Sequence, residues 1–410
     1  MLDETIETQA EKKITQMELI AEIQDKKAEM ASWRQHLHQF PEAAYEEVKT
    51  SDFVAEKLES FGIEVHRGLG KTGVVGVIHG QDCGDGTSPS IGLRADMDAL
   101  PMEEQTNLAY ASRHPNRMHA CGHDGHATML LGAAEYFARH RHFKGTVYCV
   151  FQPAEEAGNA GARSMINDGL FNKFPMDSVW GMHNWPGLAV GRALAHIGPA
   201  MAGADIFVLS IDGAGGHAAM PHQTKDSIVA AGMITVALQT LVSRQLSPFD
   251  QAVLSLTKLE AGSAFNVIPS SATIGGTLRT MHAETRETFL EQIETVAKSA
   301  AKVTGCEVSI EIRPGYPPTI NQEADALFAR GVISDVLGSD GLETEMSPAM
   351  ASEDFSYMLQ QKEGAYIWLG AGESSQNLHS PLYDFNDELL PMGASLWVRM
   401  VEAKLLRHAE

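Results

Sequence analysis

Hydrophobic positions along this chain switch repeatedly between two periods. Residues 12–38 carry apolar side chains at Ile20, Ile23, Met30, Trp33 and Leu37, the spacing of an amphipathic helix that Pro41 stops. Ser51 to Phe61 repeats the helical spacing, and the first dozen residues read as a frayed start. Between these helices and the next lie two β-branched or apolar runs, Gly73–His79 and Ser90–Asp98, which predict strands. A glycine-bearing loop at 118–125 leads into a helical pattern that begins at His126 and continues through Ala127, Leu130, Leu131, Ala134 and Phe137. Strands are expected again at Thr146–Phe151 and at Val179–Met182. Strands alternating with helices predict an α/β fold with a mostly parallel sheet sandwiched by helices. In such sheets ligands gather beyond the carboxyl ends of the strands, where Asp96, Asp98, Glu155, Glu156 and His183 fall.

From about Ala202 the pattern changes. Strands at Ala204–Asp212, Ala252–Leu259, Ala272–Arg279 and Glu307–Ile312 are interleaved with helices at 226–244 and Glu284–Val303. The order βαββαβ is that of a ferredoxin-like unit. The expected division is therefore 1–201 and 314–410 for one domain, with 202–313 inserted as a second. Pro314, Pro317 and Pro318 mark the return, followed by a helix near 322–337, another opening at Glu353, and a strand at Tyr366–Gly370. A chain of 410 residues is long enough for two cores.

Composition narrows the chemistry. The net charge of −22 disfavours nucleic acid and anionic membranes as partners. The start lacks the apolar core of a secretory signal, and no apolar run is expected to span a membrane. Four scattered cysteines, Cys83, Cys121, Cys149 and Cys306, do not resemble a disulfide framework, so a reducing, cytoplasmic setting is expected.

The densest cluster is His119-Ala120-Cys121-Gly122-His123-Asp124-Gly125-His126. A thiolate and an imidazole suit a borderline-soft divalent ion, and the glycines allow a turn tight enough to aim Cys121 and His123 at one point. His119 and His126 are left as non-ligands. Glu155 and Glu156 follow a strand; adjacent carboxylates divide labour when one ligates metal and its neighbour serves as general base. With Glu156, His183 and His379 the ligand count reaches five from four segments, which suits two ions better than one. Asp98 and Asp124 are expected to accept hydrogen bonds from ligand imidazoles. In the inserted segment, His217 follows two glycines, Asn266 lies in the same domain, and Arg279 ends a strand, where a guanidinium facing the cleft would match a substrate carboxylate.

Taken together, the segments Arg34-x-x-Leu37-His38-x-x-Pro41-Glu42, Arg94-Ala95-Asp96-Met97-Asp98, Cys121-Gly122-His123-Asp124, Gln152-Pro153-Ala154-Glu155-Glu156, Gly181-Met182-His183-Asn184, Gly216-His217-Ala218-Ala219, Asn266-Val267-Ile268-Pro269, Gly276-Thr277-Leu278-Arg279 and Leu378-His379-Ser380-Pro381-Leu382-Tyr383-Asp384-Phe385 resemble the metal-dependent N-acyl-amino-acid amidohydrolases. That group includes hippurate hydrolases, N-acetyldiaminopimelate deacetylases and plant auxin-conjugate hydrolases, within the aminoacylase–carboxypeptidase clan. The resemblance implies a two-metal exopeptidase-like fold whose inserted domain serves as lid and as the contact of a homodimer or tetramer. It further implies that His217 reaches the partner's active site to stabilise an oxyanion, and that Asn266 and Arg279 hold the substrate's carboxylate end. Two positions depart from the family pattern: Ala351-Ser352 stands where glycines are expected, and Ser380 where a histidine is frequent.

The expected function is amide hydrolysis of an N-acyl amino acid. Two divalent ions (zinc, manganese, cobalt or nickel) are held by Cys121, His123, Glu156, His183 and His379, with Glu155 as general base. The rivals are a dipeptidase or aminopeptidase on the same scaffold, and a catalytically silent metal- or ligand-binding relative.

Overall fold

A computed structural model describes residues 17–81, 88–158 and 160–405. Cys83 and the part of the first expected helix before Met17 lie outside them. The chain runs α1 (Ala21–Asp25), α2 (Lys27–Gln39), α3 (Val48–Ser60), β1 (Glu64–Leu69), β2 (Gly73–His79), β3 (Ser90–Asp96), α4 (His123–Arg139), β4 (Thr146–Gln152), α5 (Gly161–Asn167), α6 (Leu170–Lys173), β5 (Ser178–Pro186), β6 (Ala193–Leu194) and β7 (Gly198–Met201). It continues β8 (Gly203–Asp212), β9 (Gly216–His217), α7 (Ser227–Thr240), β10 (Ala252–Ala261), β11 (Val267–Ile268), β12 (Ser271–Thr280), α8 (Ala283–Ala301), β13 (Glu307–Pro314) and β14 (Thr319–Asn321). It ends α9 (Glu323–Leu337), α10 (Ser356–Leu359), β15 (Glu363–Gly372) and α11 (Leu389–Leu405).

Two compact units result: the described residues up to 198, with 321–347 and 357–405, form one, and 199–320 with 348–356 the other. Segment 348–356, which chain order alone assigns to the first unit, clusters with the second. Its backbone is captured there, with Ala349 N bonded to Ala200 O at 3.0 Å and Ala202 N to Ala349 O and Ala351 O at 3.0 and 2.9 Å.

The first unit carries a seven-stranded sheet in the order β1-β2-β4-β3-β5-β15-β6. Its centre is parallel, β4 to β3, β3 to β5 and β5 to β15, and its outer pairings are antiparallel. Strand β3 is buried at every residue, as a strand covered on both faces requires. The first helix differs from expectation. Ile20 is extended, its N–H donates to Ser395 Oγ at 3.2 Å, and the helix starts only at Ala21. The sequence pattern also misses α11. Leu389–Met392, Leu396–Val398, Met400 and Val401 are all buried, so apolar residues occupy most of its circumference and no polar stripe marks the helical period. It packs on α4, where a Cβ at Gly393 would stand 2.1 Å from Met129 Sδ.

The second unit holds an antiparallel sheet in the order β10-β12-β8-β13, the ferredoxin-like arrangement. Phe207, Leu209, Ile211, Ile274 and Leu278 pack against Ala230, Ile234 and Leu238 of α7 and Phe289 and Ile293 of α8. Among the described residues one helix, Ser227–Gln245, is long and apolar enough by length and composition to cross a membrane, although Thr235, Gln239, Thr240, Ser243 and Arg244 interrupt its apolar run. One side of it lies in this core, while Ile228, Val229, Met233 and Val236 are exposed.

Candidate metal centre

Helix α4 starts three residues earlier than its apolar pattern suggests. Gly122 adopts φ +94°, and its carbonyl accepts from Gly125 N and His126 N at 2.9 and 3.0 Å, opening the helix at His123. The left-handed turn needs glycine: a Cβ there would lie 2.2 Å from Asn184 Oδ1. Cys121 and His123 thereby flank one sharp turn at the end of the sheet. His183 lies within β5 rather than after it, and its Nε2 is 3.4 Å from Cys121 Sγ.

Both imidazoles are oriented by the protein. His123 Nδ1 donates to the Asp98 carbonyl at 2.8 Å, and His183 Nδ1 to the Asn184 carbonyl at 2.7 Å. Each thereby leaves Nε2 as the nitrogen that faces the cluster, the orientation a ligating histidine requires. Glu156 stands beside them, its Oε1 3.2 Å from Nε2 of His379. Asp98 fixes the glutamate turn by accepting from Glu155 N and Glu156 N at 3.0 and 2.9 Å, one bond on each oxygen. Ligand atoms of Cys121, His123 and His183, of Cys121, Glu156 and His379, and of His123, Glu155 and Glu156 lie within 4.8 Å of one another in each group.

These residues fit a divalent cation. His123 Nε2 and Glu156 Oε1 are buried with no hydrogen-bond partner, and the His379 contact at 3.2 Å is an ion-pair distance without hydrogen-bond geometry. Unpaired buried polar atoms are costly unless something else meets them. Charge points the same way. Burial disfavours a protonated His123, but Asp96, Asp98 and Glu156 overcome it and push its pKa up to about 10, so this spot demands positive charge. Burial, then Glu156 and Glu155, push the Cys121 thiol up, and a cation would reverse that. Burial raises the Glu156 carboxyl, while His379 and His123 outweigh it and bring it below the usual range.

Asp124 is not where it was expected. One step along α4 from His123, it turns toward α2 and accepts from His38 Nδ1 at 2.9 Å, with Arg34 3.7 Å away. His126 uses both nitrogens, on Asp96 Oδ1 and on Asn184 Oδ1 at 2.6 Å each, although its ligand atoms also group with those of Asp96 and His123 within 4.8 Å. His119 is buried with neither nitrogen partnered, and burial lowers its pKa to about 3. The sequence reading missed Asn184 and Tyr383, which continue the chain from Asp96 and His126. The only signal for them was adjacency, Asn184 to His183 and Tyr383 to the His379 segment.

The second unit carries the other three expected residues. His217 on β9 pairs with Val267 on β11, so the exposed His217 lies opposite the start of β11, which the exposed Asn266 directly precedes. Ala219 N donates to His217 Nδ1 at 3.1 Å, which leaves the proton on Nε2. Arg279 Nη1 reaches Ser352 Oγ at 3.2 Å and Met350 O at 3.4 Å, and burial lowers its pKa.

A family model described as peptidase family M20/M25/M40 matches residues 92–403. Hippurate hydrolase of Campylobacter jejuni is 42% identical over 94% of this chain and 98% of its own. IAA-amino acid hydrolase ILR1-like 4 of Arabidopsis thaliana is 41% identical over 92% of this chain and 86% of its own. Among solved structures, the Bacillus subtilis YXEP protein, described as a dinuclear metal-binding peptidase, superposes with a TM-score of 0.81 at 32% identity over 93% of this chain and 99% of its own.

Proposed function

The chain belongs to peptidase family M20/M25/M40, and from that membership we propose that it hydrolyses the amide bond of N-acyl amino acids, hippurate-like or N-acetylated, to a carboxylic acid and a free amino acid. The observation that carries the reading is the pair of buried, unpartnered ligand atoms, His123 Nε2 and Glu156 Oε1, in a cluster with Cys121, His183 and His379. Those five side chains would hold two divalent ions, of zinc, manganese, cobalt or nickel. When bound, the ions supply Lewis acidity to the amide carbonyl and to the attacking water.

The remaining work falls to this chain's own residues. Glu155, 6% exposed and held at its backbone by Asp98, accepts the proton of the attacking water and returns it to the leaving amine. His217 carries its proton on Nε2 and donates it toward the oxyanion. Asn266 and Arg279 hold the substrate carboxylate. His217 acts in a second copy's site, and the copies associate through the inserted unit into a homodimer or a pair of dimers. The exposed Ile228, Val229, Met233 and Val236 of α7 support this association, because so contiguous an apolar face is uncommon on a monomer. The cytoplasm, where thiols stay reduced, suits Cys121 as a ligand.

The test is hydrolysis of hippurate, N-acetyl-diaminopimelate and unblocked dipeptides by metal-reconstituted protein, with Glu155→Gln alongside. Release of amino acid from the acylated substrates, lost by about 100-fold or more in Glu155→Gln, supports the reading. Cleavage of dipeptides alone moves the protein to the peptidase reading, and substrate binding without turnover to a silent relative.

A further inference from the structure

His379 is the outlier of the cluster. The other four candidate ligands are at least nine-tenths buried, while the His379 side chain is 52% exposed. It sits on an irregular segment between β15 and α11, with its backbone at φ +62°, a conformation that costs a non-glycine residue on the order of 1 kcal/mol and persists only where neighbours enforce it. The neighbours are identifiable. His379 N donates to Ala120 O at 2.7 Å, Tyr383 N to Ser380 O at 3.0 Å, and Gln105 N to Pro381 O at 2.8 Å. The Phe385 ring lies against Gly125, where a Cβ would stand 2.2 Å from it.

Tyr383 is the buried centre of this strap. It is fully enclosed, and its Oη accepts from Asn184 Nδ2 at 2.7 Å. Asn184 directly follows His183 and presents its Oδ1 to His126 Nε2 at 2.6 Å. The same hydroxyl lies against the turn between Cys121 and His123, 2.7 Å from where a Gly122 Cβ would be. One oxygen of the His379 strap thus meets both of the other segments, the Cys121–His123 turn and the His183 strand.

We propose that Tyr383 is a positioning residue that pins the His379 strap to the Cys121–His123 turn and to the His183 strand, and so sets the affinity of the centre for the ion that His379 holds. The proposal rests on the two-ion reading above. Removing an outer partner of a ligand typically costs 10–100-fold in metal affinity. A hydroxyl acting only in the core would change stability without changing ion affinity.

The experiment titrates full-length, metal-stripped protein with zinc against a chromophoric chelator, for wild type, Tyr383→Phe and Asn184→Ser, each also melted in chelator. The expected result is two equivalents for wild type and, for Tyr383→Phe, one equivalent weakened about 10–100-fold, with a chelator-treated melting temperature lowered by only a few degrees for the Asn184 Nδ2 left unpaired. Asn184→Ser, which removes the bond from its other end, should show the same loss. In a His379→Ala background, Tyr383→Phe should cause no further loss. Wild-type affinity for both equivalents in either variant, or a fully additive loss in the His379→Ala background, overturns the proposal. Wild type that takes up no ion instead overturns the two-ion reading, and the role of Tyr383 with it.

Discussion

Sγ of Cys121 lies 3.4 Å from Nε2 of His183, although 62 residues separate them in the chain. The contact forms because Gly122 turns the backbone at the mouth of α4 just beyond the sheet, while β5 carries His183 into the same space in parallel register with β3 and β15. Cys121 also belongs to the group with Glu156 and His379, so it stands at the junction of the cluster. On the proposed two-ion centre, Cys121→Ala should therefore weaken both equivalents, by more than the roughly 10–100-fold typical of an outer partner. Metal content after gel filtration, measured by mass spectrometry, checks this. Two equivalents retained by the variant would remove Cys121 from the ligand set.

Glu47 controls the glutamate turn from behind. It is fully buried and accepts from Tyr45 N at 2.9 Å, Ala154 N at 2.8 Å and the Thr72 hydroxyl at 2.7 Å. Burial, then the charge of Asp98, push its carboxyl up from 4.5 to about 7. The folded pKa exceeds the unfolded one, so between those values the folded state keeps a proton that the unfolded state has released. Its contribution to stability is complete below the unfolded value and declines as pH rises toward 7. Glu47→Gln keeps an oxygen for the two N–H donors and removes the decline. The variant should gain on wild type by a few kcal/mol between pH 5 and pH 8, because each pH unit between the two pKa values weakens wild type by about 1.4 kcal/mol. Denaturant unfolding in chelator at both pH values measures this, and a difference that stays constant with pH would contradict it.

Arg279 is aimed by its own unit. Ser352, standing where the family pattern leads one to expect glycine, offers Oγ to its guanidinium at 3.2 Å. Arg279→Lys keeps the charge but loses the planar fork. A charged hydrogen bond contributes about 1.5–3 kcal/mol, so KM should rise roughly 10–100-fold with kcat little changed. Ser352→Ala should raise KM by a smaller factor. Steady-state kinetics on one acylated amino acid decides, and an unchanged KM in Arg279→Lys would free that residue of its role.

The exposed face of α7 predicts an assembly. Val236 is 71% exposed at its middle. Val236→Asp should yield monomers by analytical ultracentrifugation, with metal content kept and, on the proposed role of His217 in a partner's site, turnover lost. Adding a His217→Ala protein with an intact α7 should not rescue it. A monomeric variant with full activity would show that each copy is self-sufficient.

Much of this protein was legible in its sequence because the relevant physics is local. β-branched runs mark β2 and β3, glycine before a helical period marks the head of α4, and the βαββαβ order marks the inserted unit. The candidate ligands were legible for a related reason: a cysteine two residues before a histidine and a pair of carboxylates after a strand are residue types that metal chemistry calls for, while His183 and His379 gained meaning only beside them. Tertiary structure decided what depends on direction. Asp124 and His123 are adjacent in sequence, yet about 100° of helical rotation sends one to His38 and the other to the cluster. Helix α11 carries no readable period because it is buried nearly all round, so only its neighbours define it. Tyr383 and Asn184 meet across 199 residues, and no local pattern encodes a hydrogen bond whose partners are brought together by the packing of a strap on a sheet.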